Sequence, residues 1–280
     1  MTIFEAYNET KKRLKAAYVE DFVFEAKQII KYVTGYNNKE ILLNYTESLT
    51  DFQKGCLETV MKERLKHYPL QYILGFWDFY KRRYKVGPGV LIPRQDTETL
   101  IEICLELLED TAAPEILDLC AGTGCIGITL AAEKENSKVT LVEKYEQAAK
   151  YLAENIEQNA PENAKAVIGD VFRKCGAENK YDLIVSNPPY IKTADMKTLQ
   201  PEVAFEPETA LDGGEDGLDF YRFIAAEYKD SLKNGGKLVF EIGFDEAKEV
   251  ADILKENGFE DITVKKDYYE NDRVVFGTLK

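Results

Sequence analysis

The sequence predicts an α/β protein in which a small helical domain precedes a mostly parallel sheet with helices on both faces and an antiparallel end. Three observations lead to this prediction. Apolar residues recur at helical spacing over residues 1–69. After Pro114, short apolar runs alternate with helical patterns, which is the rhythm of consecutive βαβ units. A glycine-rich loop follows the first of these runs, where an open α/β sheet binds its ligand.

The composition is that of an ordinary globular protein. The chain has 280 residues, of which 45% are hydrophobic and 31% are charged, and this balance excludes a disordered or fibrous protein. The formal net charge is −14. Residues 1–75 carry 11 Lys/Arg and 10 Asp/Glu, so the excess of acid lies in residues 76–280, which carry 25 and 40. This charge argues against direct DNA binding, because a sequence-independent grip on phosphates needs cationic side chains.

We expect a cytoplasmic protein that binds neither metal nor membrane. Charged residues interrupt the N-terminal segment before a signal peptide could form, and no stretch approaches the ~20 apolar residues of a membrane span. The single histidine, His67, and the absence of a CxxC pair argue against a zinc site. The odd number of cysteines favours reduced thiols. They are Cys56, Cys104, Cys120, Cys125 and Cys175.

Four helices are predicted in the N-terminal domain, residues 1–69. Their predicted positions are residues 3–18, 22–33, 39–45 and 50–65. Gly35 stops the second helix, and Pro69 follows the fourth. Residues 70–93 change character: aromatic and β-branched residues stand in short runs between Gly75 and the Gly87-Pro88-Gly89 segment, which predicts a β-hairpin linker.

The sheet domain is predicted over residues 94–280. Asp96 is the predicted N-cap of a helix over Thr97–Leu108. The predicted strands are Ile116–Leu119, Lys138–Glu143, Ala164–Gly169, Asp182–Ser186 and Lys237–Ile242. The predicted helices between or after them are Ile126–Glu133, Glu146–Asn159, Leu218–Leu232 and Asp245–Asn257. Asp261–Lys266 and Arg273–Leu279 leave no room for a helix between them and should pair as the antiparallel end.

The glycine-rich loop and the acid after the second strand predict a nucleotide-like cofactor. The loop reads Leu117-Asp118-Leu119-Cys120-Ala121-Gly122-Thr123-Gly124-Cys125-Ile126-Gly127, and its glycines let the backbone approach a ligand closely. Glu143 ends the second strand, in position to bind ribose hydroxyls. Asp170 follows the third strand and is a candidate for the adenine end, with Val171 and Phe172 as an apolar face. The spacing alone is compatible with both a nicotinamide dinucleotide and S-adenosylmethionine.

The fourth strand runs straight into Asn187-Pro188-Pro189-Tyr190, and this turn points to the chemistry. The two prolines fix φ and hold the turn rigid beside the expected cofactor. The Asn187 side-chain oxygen and the Pro188 carbonyl could accept both hydrogens of a planar –NH2 group while Tyr190 packs on its conjugated face. Such an amine must be aimed at an electrophile about 3–3.5 Å away, and a sulfonium methyl is one. No general base is required, since the nitrogen becomes acidic as the new bond forms.

Five segments together resemble the HemK/PrmC family of protein-glutamine methyltransferases. They are Pro69–Gly75, Val90–Glu98, the glycine-rich loop, Ser186–Ile191, and Phe205–Pro207 with Ala210–Leu218. The resemblance implies a Rossmann-like methyltransferase sheet and a helical domain that recognises the substrate. Its implied activity is transfer of a methyl group from S-adenosylmethionine to the glutamine amide nitrogen in the Gly-Gly-Gln motif of peptide-chain release factors. We expect a monomer.

The resemblance also assigns residues. It implies cofactor contacts by Cys120, Ala121, Gly122, Thr123, Gly124, Glu143, Asp170, Val171, Phe172 and Asn187. It implies that Asn187, Pro188, Pro189 and Tyr190 bind the glutamine, with Asn187, Pro188 and Tyr190 as the catalytic set. Two positions depart from the family pattern: Gln95 stands where proline is usual, and Cys120 where glycine is common.

Two other catalytic functions compete with this one, and the same fold could also serve a non-enzymatic binding protein. A nucleic-acid adenine methyltransferase could use the same turn, because adenine also presents a conjugated amine, but it would have to hold a polyanion with an acidic domain. A nicotinamide-dependent oxidoreductase fits the glycine spacing and leaves the Asn-Pro-Pro-Tyr turn unexplained.

Overall fold

The computed structural model describes residues 1–159, 162–178 and 180–280. The chain forms two compact units. The helical unit comprises Met1–Gly75 and Gln200–Phe205, and the sheet unit comprises Phe76–Leu199 and Glu206–Lys280. The division therefore falls at Gly75 rather than at residue 69, and residues 70–93 do not stand apart as a linker. No helix in the described ranges is long and apolar enough to cross a membrane.

The helical unit contains five helices. They are α1 (Ile3–Ala16), α2 (Phe22–Thr34), α3 (Asn38–Leu43), α4 (Asp51–Arg64) and α5 (Leu70–Leu74). Capping boxes fix the starts of three of them: Thr2 with Glu5, Asn37 with Glu40, and Thr50 with Gln53. Tyr18, included in the predicted first helix, lies beyond its end at a φ of +59° with its side chain exposed.

An ion cluster around the buried side chain of Arg64 holds the segment Gln200–Phe205 within the helical unit. Arg64 donates to Glu25 at 2.6 and 2.9 Å and to Glu202 at 3.0 Å. Nδ1 of His67 lies 3.0 Å from the same Glu202 carboxyl. His67 thus contacts a residue that lies 135 positions away along the chain. Sequence spacing could not have indicated this contact.

The predicted hairpin is shorter than expected. It consists of β1 (Phe76–Phe79) and β2 (Arg82–Lys85), which pair antiparallel with Phe76 opposite Lys85. Tyr80 and Lys81 form its tight turn, both with positive φ, as a two-residue hairpin loop requires. The residues before it form α5 instead, because Leu70, Tyr72 and Leu74 bury their side chains on one short helix.

Within the described part of the sheet unit, seven strands besides the hairpin form one sheet in the order β5-β4-β3-β6-β7-β9-β8. The strands are β3 (Glu115–Leu119), β4 (Lys138–Glu143), β5 (Ala164–Ile168), β6 (Tyr181–Ser186), β7 (Leu232–Glu241), β8 (Phe259–Lys266) and β9 (Asp272–Leu279). Strands β3 to β7 pair in parallel, and β9 pairs antiparallel with both β7 and β8. This confirms the predicted fold class and its antiparallel end.

Helices cover both faces of the sheet. They are α6 (Thr97–Leu107), α7 (Cys125–Glu133), α8 (Glu146–Asn159), α9 (Asp219–Glu227) and α10 (Ala247–Glu256). Along β3, Ile116 packs in one apolar cluster, while Leu117 and Leu119 pack in the other, as the two-residue strand period requires.

Two predicted helix features differ from the structure. Asp96 is the N-cap residue of α6, as predicted, but its backbone is helical and its side chain makes no capping hydrogen bond; its carboxyl lies 3.5 Å from Arg273 instead. The predicted helix Leu218–Leu232 ends at Glu227, because a short 3-10 turn follows and Leu232 begins β7.

Candidate active site

A pocket opens at the carboxyl ends of β3, β4, β5 and β6, where a parallel sheet binds ligands. It holds about 930 Å³ of space, its open mouth included, which is a size typical of small-molecule sites. The predicted residues that line it are Cys120, Ala121, Gly122, Thr123, Glu143, Asp170, Val171, Phe172, Asn187 and Pro189. Three predicted residues, Gly124, Pro188 and Tyr190, lie outside the lining.

The loop after β3 is shaped by left-handed backbone. Cys120, Gly122 and Gly124 have φ of +61°, +54° and +80°. A Cβ on Gly122 would meet only Val90 Cγ2, at 3.9 Å, so the pocket side of the loop has room for a ligand. A Cβ on Gly124 would lie 2.4 Å from Leu152 Cδ1, so Gly124 serves close packing instead. Cys120 has a left-handed backbone conformation, which glycine adopts without steric cost. This explains why glycine is common at this position in the family pattern noted above.

Glu143 ties this loop to the end of β4. Its side chain is buried, Oε2 accepts from the Gly122 N–H at 2.8 Å, and Oε1 accepts from the Tyr145 N–H at 2.8 Å. A carboxylate has about four lone-pair sites, so each oxygen can accept one further hydrogen bond. Since Glu143 also lines the pocket, the pair of hydroxyls on a ribose fits its remaining acceptors.

Asp118 lies beneath the same loop. Its Oδ2 accepts from the Gly127 N–H at 2.8 Å, and its Oδ1 has no hydrogen-bond partner among the described residues. Burial raises the pKa of Asp118 to about 7. Asp118 therefore stabilises the first turn of α7 through the Gly127 N–H, and it does not line the pocket.

Asp170 and Phe172 form the far wall. Lys144 lies 3.0 Å from Asp170 Oδ2, and the Phe172 N–H donates to Oδ1 at 3.0 Å. Burial opposes ionisation of Asp170, but these hydrogen bonds hold its pKa below the ordinary value. The half-exposed Phe172 ring packs on Phe220 and Phe223, with centroids 4.8 and 4.9 Å apart. An apolar platform beside a carboxylate suits a heterocycle that carries an amino group.

The Asn187 turn closes the pocket on the side of β6. Asn187 Nδ2 lies 3.5 Å from Thr97 Oγ1, and Pro188 and Pro189 are buried. Tyr190 packs against the apolar cluster on the α9 and α10 face, where burial raises its pKa well above the ordinary value. The structure thus brings Asn187 and Pro189 to the pocket and sets Tyr190 behind the turn.

Sequence reasoning gave no role to a second group of lining residues. Val90, Leu91 and Pro93 come from the segment before α6, and Pro207, Thr209 and Ala210 from the loop before α9. Glu206 joins the two segments: its buried carboxyl accepts from the Ile92 N–H at 2.9 Å and from Arg94. Both segments belong to the family pattern quoted above. That pattern was the one sequence feature that could have indicated their place in the pocket.

Among residues 1–159, 162–178 and 180–280, no group of three or more His, Cys, Asp or Glu side chains could hold a metal ion. Besides the backbone of its loops, the pocket presents the side chains of Glu143, Asp170, Phe172 and Asn187.

Two protein families match the chain. Residues 5–75 match the PrmC N-terminal domain, and residues 95–215 match the Methyltransferase small domain. A release factor glutamine methyltransferase from Fusobacterium nucleatum is 39% identical over 97% of this chain and 77% of its own length. The enzymes of the same name from Thermodesulfovibrio yellowstonii and Geobacter sulfurreducens are 40% and 36% identical, covering 90% and 99% of this chain and 90% and 97% of their own lengths.

Solved structures agree on the fold. A methyltransferase from Pyrococcus furiosus has a TM-score of 0.51 at 20% identity, covering 70% of this chain and 87% of its own. The T. thermophilus 16S rRNA N2 G1207 methyltransferase, solved with AdoMet and guanosine, has a TM-score of 0.51 at 21% identity, covering 73% of this chain and 50% of its own. At this identity, the likeness establishes the methyltransferase fold.

Proposed function

Because this chain belongs to the release factor glutamine methyltransferase family, we propose that it methylates the glutamine side-chain amide nitrogen in the Gly-Gly-Gln motif of peptide-chain release factors. The methyl donor is S-adenosylmethionine. The observation that carries the proposal is the position of Asn187, which lines the cofactor-sized pocket on a turn made rigid by two prolines.

The residues present fit S-adenosylmethionine. Glu143 would accept from the ribose hydroxyls, the backbone from Cys120 to Thr123 would face the ligand, and Asp170 with Phe172 would hold the adenine. When bound, this cofactor supplies an electrophilic methyl group on a sulfonium.

The chain's own contribution to the reaction is orientation. Asn187 Oδ1 and the Pro188 carbonyl would accept the two hydrogens of the substrate amide, which aims its nitrogen at the electrophile. As the nitrogen gains the methyl group, it loses one proton to solvent, so no general base is needed at the site. Tyr190, expected to cover the conjugated face, supports the turn from behind in this proposal.

The proposal includes a monomeric enzyme in the cytoplasm whose partner is a release factor and not DNA. Residues 76–280 carry 25 Lys/Arg against 40 Asp/Glu, an unsuitable charge for holding a polyanion.

The test is incubation of the purified protein with labelled S-adenosylmethionine and unmodified release factor. Mass spectrometry should place one methyl group on the glutamine of the Gly-Gly-Gln motif. A release factor with that glutamine replaced by alanine is the matched control and should remain unlabelled. Label on adenine of duplex DNA, or no label from protein that binds the cofactor, would overturn the proposal.

A further inference from the structure

A buried carboxyl group lies directly beside the Asn187 turn. Strands β6 and β7 pair in parallel with Ser186 opposite Phe240, so the next residues, Asn187 and Glu241, are neighbours at the carboxyl edge of the sheet. Glu241 is only 2% exposed, and its Oε2 has no hydrogen-bond partner among the described residues. A buried carboxyl group with an open acceptor atom needs a physical reason.

Thr97 and Asn187 interact with this carboxyl group. Burial raises the pKa of Glu241 to about 7, while hydrogen bonding to Thr97 and Asn187 and the nearby charge of Arg273 act to lower it. Asp96 opposes them. The Thr97 hydroxyl and the Asn187 NH2 group can both donate to this carboxyl group, and such donation favours its carboxylate form.

Thr97 links the carboxyl group to Asn187. Its side chain is buried at the first residue of α6, and its Oγ1 lies 3.5 Å from Asn187 Nδ2. A hydroxyl group has one proton and two acceptor sites. If the Thr97 proton goes to Glu241, the Thr97 oxygen can only accept from Asn187, and this selects Nδ2 as the end of the amide that faces inward.

We propose that Glu241 is a positioning residue that acts through Thr97 and on Asn187 directly, holding the Asn187 amide with Nδ2 inward and Oδ1 toward the substrate amide. Without these acceptors, the Asn187 amide can rotate by half a turn, and its NH2 group would then meet the substrate NH2 group. This inference rests on the proposed function, because it concerns the group that Asn187 receives.

Thr97 offers a sharp test through isosteric variants. Thr97→Val keeps the side-chain shape but removes the hydroxyl, and should lower kcat about tenfold or more, while the Kd for S-adenosylmethionine stays within about twofold. Thr97→Ser keeps the hydroxyl and should restore most of the lost turnover. Thr99→Val is the matched control: Thr99 lies on the same helix, is buried, and its hydroxyl has no partner among the described residues, so kcat should not change.

Glu241→Gln adds a second measurement. It keeps the side-chain volume and adds an NH2 group that competes with the acceptor role, so kcat should fall to a similar extent. The double variant with Thr97→Val should lose little more than either single variant, since both act on one network. Thermal unfolding and cofactor titration of each variant identify loss of folding.

The outcomes separate the two proposals. If the natural enzyme does not label the release factor, the proposed function fails. If it does, but Thr97→Val or Glu241→Gln turns over normally, the positioning role is wrong. Parallel losses of kcat, cofactor affinity and thermal stability, with no recovery in Thr97→Ser, would show a merely structural role and also overturn it.

Discussion

At the scale of single residues, Asn187 carries the most specific expectation. Replacing it with alanine removes an acceptor for the substrate amide but leaves the glycine-rich loop, Glu143 and Asp170 in place. Asn187→Ala should therefore lower kcat by about 100-fold while the Kd for S-adenosylmethionine changes by less than about threefold. Steady-state kinetics with a release factor and calorimetric cofactor titration measure the two quantities. Equal losses in both would mean that Asn187 mainly binds the cofactor.

Asp118 leads to a prediction about stability and pH. Its pKa rises from 3.8 to about 7 on folding, so the folded protein binds this proton more tightly than the unfolded chain. The stabilisation is complete below about pH 4 and is lost as the pH rises through about 7. Asp118→Asn is always neutral and can still accept from the Gly127 N–H. The natural protein loses this stabilisation as the pH rises, but the variant does not. The free energy of unfolding of Asp118→Asn minus that of the natural protein should therefore increase by about 2–3 kcal/mol from about pH 5 to about pH 8.

Urea unfolding at the two pH values measures this difference. Burial also raises the pKa of Glu246 to about 7. Ionisation of Glu246 should therefore also lower the stability of the natural protein between about pH 5 and about pH 8. Glu246→Gln is therefore the companion variant, with a pH trend of the same sign. A free-energy difference between Asp118→Asn and the natural protein that does not vary with pH would mean that Asp118 is ionised throughout.

At the scale of elements, the active-site turn is braced by a neighbouring segment. The Gly213 N–H donates to the Ile191 carbonyl at 2.8 Å, and the Ile191 N–H donates to the Leu211 carbonyl at 2.8 Å. A Cβ on Gly213 would lie 2.7 Å from the Pro189 carbonyl oxygen and from Tyr190 Cα. These are backbone atoms of the turn, so no side-chain rotation can relieve the overlap.

Gly213→Ala should therefore displace the turn and lower kcat at least about tenfold, with a loss of about 1–3 kcal/mol in unfolding free energy. Gly55→Ala is the matched control. Gly55 lies inside α4 with nothing within 4 Å of its would-be Cβ, so alanine should stabilise the helix by up to about 1 kcal/mol and leave kcat unchanged. Kinetics and thermal unfolding of both variants check this. Unchanged kcat in Gly213→Ala would show that the turn tolerates displacement.

The elements differ in how far sequence could predict them. Strands β3, β4 and β6 were predicted to within one residue at each end, because each is largely an apolar run buried on both faces, as in Leu183–Val185. Strand β7 starts at Leu232, five residues before the predicted Lys237. Tyr18 and the helix ending at Glu227 were misassigned, since an apolar residue at helical spacing can equally lie beyond the helix or begin a strand. The local pattern of apolar residues indicates the periodicity of a segment. It does not indicate which other element each side chain packs against.

At the scale of the whole molecule, the same limit applies to the site. Part of the pocket lining could be predicted, because Cys120–Thr123, Glu143 and Asp170 each lie at or just after the end of a strand, and parallel strands end at one edge. The Glu241, Thr97 and Asn187 network could not, because it depends on the register of β6 with β7 and on the start of α6. The same holds for Arg64 and Glu202, which are 138 positions apart.

The distribution of charge gives a last prediction, for the complex with the release factor. Residues 1–75 are nearly neutral, whereas residues 76–280 carry the whole acidic excess, with 25 Lys/Arg against 40 Asp/Glu. If this acidity attracts a basic surface of the partner, the association rate constant should fall about tenfold or more between about 50 mM and about 500 mM salt, because the screening length shortens from roughly 14 Å to roughly 4 Å. Stopped-flow association kinetics measure this rate, with dissociation expected to change less. Cofactor titration at both salt concentrations is the control. An association rate independent of salt would leave solubility as the only role of the acidic excess.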